Sequence, residues 1–305
     1  MAAKADPPFG RLLTAMVTPF RVDGSVDLDA AAALATYLVD EQAHDGLVIN
    51  GTGGEAPTTT DAEKADLVRT VVDAVGDRAH VVAGVGTNDT AHTLELAAAA
   101  EKAGADGLLA VTPYYSRPPQ AGLVEHFRTL ADATGLPVML YDIPHRAGTA
   151  LASETLLRLA EHPRVVAVKD AKSDLVASAG VMAASDLAYY SGDDALTLPL
   201  LSIGAVGVIG TSTHFCGPQA RALVEAAITG DPAEALRLHR RLLPIFVGIF
   251  ATQGAILVKA GLELQGRGVG GVRLPLVPAT AEQREALAGA LDAAGLPSGP
   301  GSGAA

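Results

Sequence analysis

The stretch RVVAVKDAK, residues 164–172, ends an apolar run on Lys169. Lysine is scarce in this chain, with six among 305 residues, and the four residues before Lys169 are Val165, Val166, Ala167 and Val168. An amine at the end of a buried strand loses hydration, which disfavours its charged form and lowers its pKa. A neutral amine attacks a ketone to form an imine, and the protonated imine draws electrons from the neighbouring carbon. That chemistry needs no metal and no organic cofactor, and none is expected. A lysine that closes a strand can also snorkel to solvent, and strand periodicity alone does not separate the two.

The elements that would position such a lysine recur along the chain. Short apolar or β-rich runs occur at 12–17, 46–50, 80–84, 107–111, 137–141, 165–169, 187–191 and 206–210. They are nearly continuous in apolar residues, as strands covered on both faces are. Helical patterns lie between them. In 61–75, Leu67, Val68, Val71, Val72 and Val75 share one face, and Thr60 with Glu63 forms a capping box. The helix after residue 90 ends at Gly104, a C-terminal signal. Repeated βα units predict an α/β fold, a (β/α)8 TIM barrel. The chain beyond the eighth strand reads as helices at 217–229, 232–265 with a break, and 280–294, with starts at Asp231-Pro232 and at Thr280 with Gln283. A barrel needs one helix there, so the surplus predicts an appended layer. The expected organisation is a catalytic barrel over 10–225, a C-terminal helical layer over 226–295 and a disordered tail over 296–305.

Chemistry in such barrels gathers at the C-terminal ends of the strands. There the sequence offers Thr18 after strand one, GTGGE after strand two, TPYY after strand four and YDIPHR after strand five. Lys169 ends strand six, GDD follows strand seven, and strand eight ends at Gly210. Hydroxyls, a lysine and an arginine are expected to converge on one mouth.

Composition narrows the partners. The chain is 49% hydrophobic with a net charge of −12, which argues against a nucleic-acid surface, because phosphate binding needs a basic stripe. The single cysteine, Cys216, rules out an internal disulfide framework and fits a reducing, cytoplasmic setting. The N-terminal MAAKADPPFG lacks the apolar run of a signal peptide. The apolar stretch 242–258 is interrupted by Pro244, Thr252, Gln253 and Gly254, and reads as buried helix rather than a membrane span.

Several ordered motifs carry a resemblance across about residues 10–294. They are TAMVTPF (14–20), GTGGE (51–55), VTPYYSRPPQ (111–120), LYDIPHRAG (140–148), VAVKDAK (166–172) and YSGDDAL (190–196). With them the chain resembles the dihydrodipicolinate synthase / N-acetylneuraminate lyase family of pyruvate-dependent class I aldolases. The resemblance implies a lyase that forms a Schiff base between Lys169 and pyruvate. It implies that Tyr141 is the acid/base phenol, that Thr52 links it to Tyr115, and that Tyr115 reaches in from a neighbouring subunit of a homodimer or homotetramer. It implies that Arg146 holds the carboxylate of an aldehyde substrate, and that Gly53, Gly192 and the Ile209 carbonyl line the pocket. The reaction implied is condensation of pyruvate with L-aspartate 4-semialdehyde, in lysine and diaminopimelate biosynthesis. The alternatives are a paralogous aldolase or lyase acting on another aldehyde or 2-oxo acid, and a catalytically weak paralogue.

Physical chemistry fits these roles: a guanidinium fork suits a carboxylate, and a phenol of pKa ~10 needs a relay to move protons near neutrality. Each also has a plainer reading, with Tyr141 as core, Tyr114 in place of Tyr115, and Arg146 as a loop salt bridge. His145 reads as a solvated loop residue and Cys216 as a packed thiol. The match of Gly51, Gly53 and Ala56 to a dinucleotide fingerprint fails on context, because Glu55 would repel a pyrophosphate and no ribose-binding acid ends the next strand.

The chain departs from the family pattern at Gly53, where a second hydroxyl residue is usual. A carboxylate site there keeps the backbone N–H and loses a hydroxyl, and Gly53→Thr is expected to lower the KM for pyruvate if residue 53 does not need φ > 0. At the cleft where relatives bind lysine, the aligned residues are Ala56, Asp61, Lys64 and His92, with Asn88 and Tyr114 retained, so feedback by lysine is expected to be weak.

Overall fold

The computed structural model describes residues 7–299. Eight parallel strands close into a barrel in sequence order. They are β1 (Leu12–Ala15), β2 (Gly46–Ile49), β3 (His80–Gly84), β4 (Gly107–Val111), β5 (Val138–Asp142), β6 (Val165–Asp170), β7 (Ala188–Ser191) and β8 (Gly207–Gly210). All eight expected strands are present, and this is a (β/α)8 barrel.

The helices between and after them are α1 (Leu28–Asp40), α2 (Asp61–Val75), α3 (Thr90–Lys102), α4 (Gln120–Asp132), α5 (Pro144–Ala147), α6 (Ser153–Ala160), α7 (Leu175–Ala184) and α8 (Thr197–Ile203). Then come α9 (Thr213–Thr229), α10 (Pro232–Gly248), α11 (Gly254–Leu264) and α12 (Ala281–Ala294). The local signals act as their chemistry requires. Thr60 and Glu63 cap α2 reciprocally, Asp231 caps α10 with Pro232 in its first turn, and Thr280 with Gln283 caps α12.

Strand alternation divides the apolar residues into two cores. Leu13, Val48, Val82, Leu109, Met139 and Ala167 fill the barrel interior, with Phe9 and Tyr190. Leu12, Leu47, Val81, Leu108, Leu140 and Val168 face the helices, where Leu38, Val71, Phe127 and Leu223 cover them. Tyr190 donates its phenol hydrogen to the Gly10 carbonyl at 2.9 Å and accepts the Phe9 N–H at 3.3 Å, which ties the N-terminal segment to the barrel.

The appended layer differs from expectation at its edges. Helix α9 continues through residues 225 and 226 to Thr229, so the barrel's last helix runs past the expected boundary. The expected tail is ordered where it begins. Leu296 is buried, the Pro297 carbonyl accepts a bond from Gln265 at 2.7 Å, and the Ser298 hydroxyl reaches Asp292. Apolar burial of Leu296 holds this start of the tail, and 300–305 lie outside the described residues. The apolar stretch 242–258 is divided by a break at 249–253 between α10 and α11. Among the described residues no helix is long and apolar enough to cross a membrane.

The segment between α11 and α12 returns over the C-terminal side of the barrel. The Phe20 N–H donates to the Val269 carbonyl at 3.1 Å. Arg273 donates to the carbonyls of Gly24 and Thr58 at 2.9 and 2.7 Å and to the Glu63 carboxylate. The loops after β1 and β2 are therefore held by the C-terminal layer.

Candidate active site

Strand alternation sorts neighbouring residues to opposite faces at the ends of β5 and β6. Tyr141 pairs with Lys169 and Asp142 with Asp170 in the strand register. Tyr141 and Lys169 point to the barrel mouth, where both line a cavity of about 460 Å³. Asp142 and Asp170 point the other way: Asp142 accepts the Leu151 N–H at 3.2 Å, and Asp170 is bonded to Ser178 of α7.

Lys169 is only 5% exposed, and its Nζ lies 4.4 Å from the centroid of the Tyr141 ring. Its pKa is lowered to about 8: burial lowers it most, the Asp194 carboxylate opposes this, and the Arg146 charge adds to the lowering. Strand-closing by snorkelling is excluded, because the amine lies inside. Lys172, three residues on, is different: its Nζ lies 3.5 Å from the Asp142 carboxylate and donates to the Leu151 carbonyl at 3.3 Å.

Tyr141 is equally buried. Burial pushes its phenol up to about 12, against the Thr52 side-chain hydrogen bond and the Arg146 charge, which lower it. The phenol at rest therefore carries its proton. Thr52 lines the same cavity from the turn after β2.

Arg146 sits in α5, the short turn of helix that Pro144 opens after β5. Its side chain is exposed at the rim of the cavity, and among the described residues no carboxylate pairs with it. The loop salt bridge is thus not what the structure has, and a free guanidinium faces the mouth. His145 beside it is also exposed.

Gly192 follows β7, and its N–H donates to the Asp170 carbonyl at 2.7 Å. A Cβ there would stand 3.0 Å from Lys169 Cγ, so a side chain would press on the lysine. Ile209 is fully buried in β8, in the same apolar cluster as Tyr141 and Ala171, and the lining of the cavity passes it by. Tyr115 is 90% exposed at φ 71° and lines a second cavity of about 640 Å³ rather than the one that holds Lys169. The two cavities share Thr52, Tyr141, Ile143, Arg146 and Gln253.

Gly53 lines the lysine cavity, and its φ is not in the left-handed region. The backbone would accept another residue, but a Cβ would stand 2.9 Å from the Ala15 carbonyl oxygen, which belongs to β1. This corrects the expected benefit of Gly53→Thr: the added hydroxyl comes with a displaced strand end. Gly53→Thr is expected to leave the KM for pyruvate unchanged or higher and to lower the melting temperature, measured by initial rates and thermal unfolding. A clear drop in KM would show that β1 yields without cost.

Sequence reasoning passed over five contributors. Asp194 is buried in the GDD motif and accepts the N–H groups of Thr211 and Ser212 at 3.1 Å and the Ser212 hydroxyl at 2.6 Å, tying the end of β7 to that of β8. Phe246, Val247 and Phe250 of the C-terminal layer form an apolar wall of the lysine cavity, with Gln253 beside them. The polar break at Thr252-Gln253-Gly254 inside 242–258 was the available signal. Cys216 is buried at a kink in α9, with burial raising its pKa far from reactivity.

The larger cavity holds Ala56, Asp61, Lys64, Asn88, His92 and Tyr114. His92 Nε2 lies 2.9 Å from the Asp61 carboxylate, and Lys64 donates to the Thr59 carbonyl. Asp61 is thus occupied by His92, and Lys64 adds positive charge where an amino-acid ammonium would need a carboxylate.

Residues 8–294 match the sequence profile of the Dihydrodipicolinate synthetase family. The chain is 67% identical to the 4-hydroxy-tetrahydrodipicolinate synthase of Acidothermus cellulolyticus over 95% of its length and 94% of the relative's. It is 59% identical to 4-hydroxy-tetrahydrodipicolinate synthase 2 of Streptomyces coelicolor over 97% and 99%. Its fold superposes on the crystal structure of DHDPS from Cyanidioschyzon merolae with lysine bound, with a TM-score of 0.93 and 43% identity over 95% and 99% of the two chains.

Proposed function

The chain belongs to the dihydrodipicolinate synthetase family, and from that premise we propose that it is a 4-hydroxy-tetrahydrodipicolinate synthase. It condenses pyruvate with L-aspartate 4-semialdehyde, the reaction that forms the 4-hydroxy-tetrahydrodipicolinate for which its relatives are named. The observation that carries the reading is the buried Lys169 amine, with its pKa at about 8, lying over the Tyr141 ring at 4.4 Å from its centroid.

Lys169 Nζ attacks C2 of pyruvate. Tyr141 gives its proton to the departing hydroxyl, water leaves and an imine remains. The pyruvate methyl group then loses a proton to the phenolate, giving an enamine. The enamine carbon attacks the aldehyde carbon, whose oxygen takes up the proton held by the Tyr141 phenol. The amine of the second substrate displaces Lys169 and closes the ring, restoring the free lysine. Thr52 supports the phenolate by hydrogen bonding, and Tyr115 of a neighbouring subunit completes the relay. Gly53 and Gly192 line the space for pyruvate, with the Ile209 carbonyl behind it. The active form is therefore a homo-oligomer, a dimer or tetramer, and we place it in the cytoplasm.

Initial-rate assays with pyruvate and a panel of aldehydes test the substrate pair. Aspartate semialdehyde is expected to be turned over fastest. A faster reaction with an aldehyde lacking a carboxylate would move the reading to a paralogous aldolase, the alternative that Gly53 raises.

Arg146→Ala separates the two substrates. Hydrogen bonds to a charged group contribute roughly 1.5–3 kcal/mol, so the KM for aspartate semialdehyde should rise about 10- to 150-fold. Imine formation with pyruvate should persist, with its pH dependence moved upward because Arg146 lowers the Lys169 pKa. Equal loss of both steps would make Arg146 a structural residue.

Feedback by lysine should be weak. Half-inhibition is expected only at about millimolar concentration or above, since Lys64 and the Asp61–His92 pair leave no free carboxylate for the ligand's ammonium group. Inhibition at micromolar lysine would overturn this.

A further inference from the structure

The turn that carries Thr52 is bracketed by two non-glycine residues in left-handed backbone, Asn50 at φ 60° and Glu55 at φ 56°. Such conformations are disfavoured for residues with a Cβ and persist where the surroundings hold them. Asn50 is held by the barrel's own helical shell, its Nδ2 donating to the Lys64 carbonyl of α2 at 3.1 Å. Glu55 is held by the appended layer. Its buried carboxylate accepts from Lys259 Nζ at 2.7 Å and from the Arg273 N–H at 2.9 Å. Lys259 lies on α11, is 4% exposed, and also donates to the Gly271 carbonyl at 2.6 Å.

From Glu55 the path to Thr52 is short. The Glu55 N–H donates to the Thr52 carbonyl at 3.3 Å, and Gln253 Nε2 of the same layer reaches that carbonyl at 3.4 Å. The Thr18 hydroxyl donates to the Gly54 carbonyl at 2.6 Å and fastens the turn to the end of β1. A buried ion pair is a poor source of stability, because desolvation offsets the attraction. It is, however, directional, and here it joins the appended layer to the turn whose threonine bonds the acid/base phenol.

We propose that Lys259, acting through Glu55, is a positioning residue that holds the Thr52 turn in its left-handed-bracketed shape, so that the C-terminal helical layer sets the geometry of proton transfer in the barrel. This rests on the reading above that Thr52 serves Tyr141. Removing one charge alone leaves the other buried and unpaired, so Lys259→Met by itself risks unfolding. The double variant Glu55→Gln/Lys259→Met removes both charges at similar volume and leaves an amide oxygen for the Arg273 N–H.

The double variant should stay folded by circular dichroism and keep borohydride trapping of pyruvate at Lys169. Its kcat should fall at least tenfold, with the KM for aspartate semialdehyde within about threefold of the parent. A packing role would lower the melting temperature without that split. A folded double variant with kcat within threefold of the parent overturns the inference. So does failure of the double variant to fold, which would assign the pair to holding the fold. Thr52→Val is the control. If it leaves kcat within threefold, the relay reading fails by itself. If it lowers kcat at least tenfold while the double variant does not, only the positioning role fails.

Discussion

Borohydride added to the protein with pyruvate adds one reduced pyruvate, at Lys169 and not at Lys172. The two lysines are three residues apart, and both are largely withdrawn from solvent. What separates them is their company. Lys172 lies 3.5 Å from the Asp142 carboxylate, so its amine is engaged in an ion pair. Lys169 has a ring face and apolar walls around it, and no carboxylate within salt-bridge distance among the described residues. With a pKa of about 8, about one Lys169 amine in eleven is neutral at pH 7, against about one in three thousand at the ordinary 10.5. The sign of the pH dependence follows. The amine takes up a proton as pH falls through about 8, so trapping slows tenfold for each further pH unit and levels off above it. Lys169→Ala should lower turnover by on the order of 10³-fold or more, since among the described residues no second lysine lines the cavity to replace it. Peptide mass mapping after reduction reads the site, and modification at Lys172, or none at saturating pyruvate, sinks the assignment.

Tyr141→Phe should lower kcat by about 10²- to 10⁴-fold, the range for loss of a positioned general acid or base. The substitution keeps the ring that lies 4.4 Å from Lys169 Nζ, so it deletes the hydroxyl without opening a cavity. The phenol, raised to about 12 by burial, is a proton donor at rest. Its phenolate, needed to take a proton from the pyruvate methyl group, forms only with help from the Thr52 hydroxyl and the Arg146 charge. Trapping of pyruvate should therefore continue in Tyr141→Phe but slowly, while exchange of the pyruvate methyl hydrogens with deuterated water nearly stops. Proton NMR of pyruvate follows that exchange. A kcat within threefold of the parent, or normal exchange, would give the proton transfers to another group.

The barrel was readable because its determinants are local. Uninterrupted apolar runs such as VVAV and LLAV mark strands covered on both faces, and Thr60 with Glu63 or Thr280 with Gln283 mark helix starts within four residues of chain. The order of strands follows from the repeat, since each βα unit has one direct way to lie beside its predecessor. Lys169, Tyr141, Thr52, Gly53 and Arg146 were readable as a mouth for the same reason: each follows a recognisable strand.

Other features depend on residues that meet only after folding. Cβ at position 53 stands against the Ala15 carbonyl, more than thirty residues earlier in the chain. Sequence shows that glycine breaks the motif there, and only the approach of β1 shows what a larger residue would strike. The Glu55–Lys259 pair spans 204 residues, and Glu55 by sequence is merely the end of GTGGE. Phe246 and Phe250 read as buried helix, yet they wall the cavity because the chain breaks at 249–253 and turns that face to the mouth. The sequence by itself determined the barrel, its order and the lysine at the end of the sixth strand, because local pattern and chemical type carry those. Tertiary structure alone decided which face of each strand end meets the cavity, how far the lysine pKa falls and what holds the threonine turn. Distance and desolvation between remote segments set those properties, and neither is written in the order of residues.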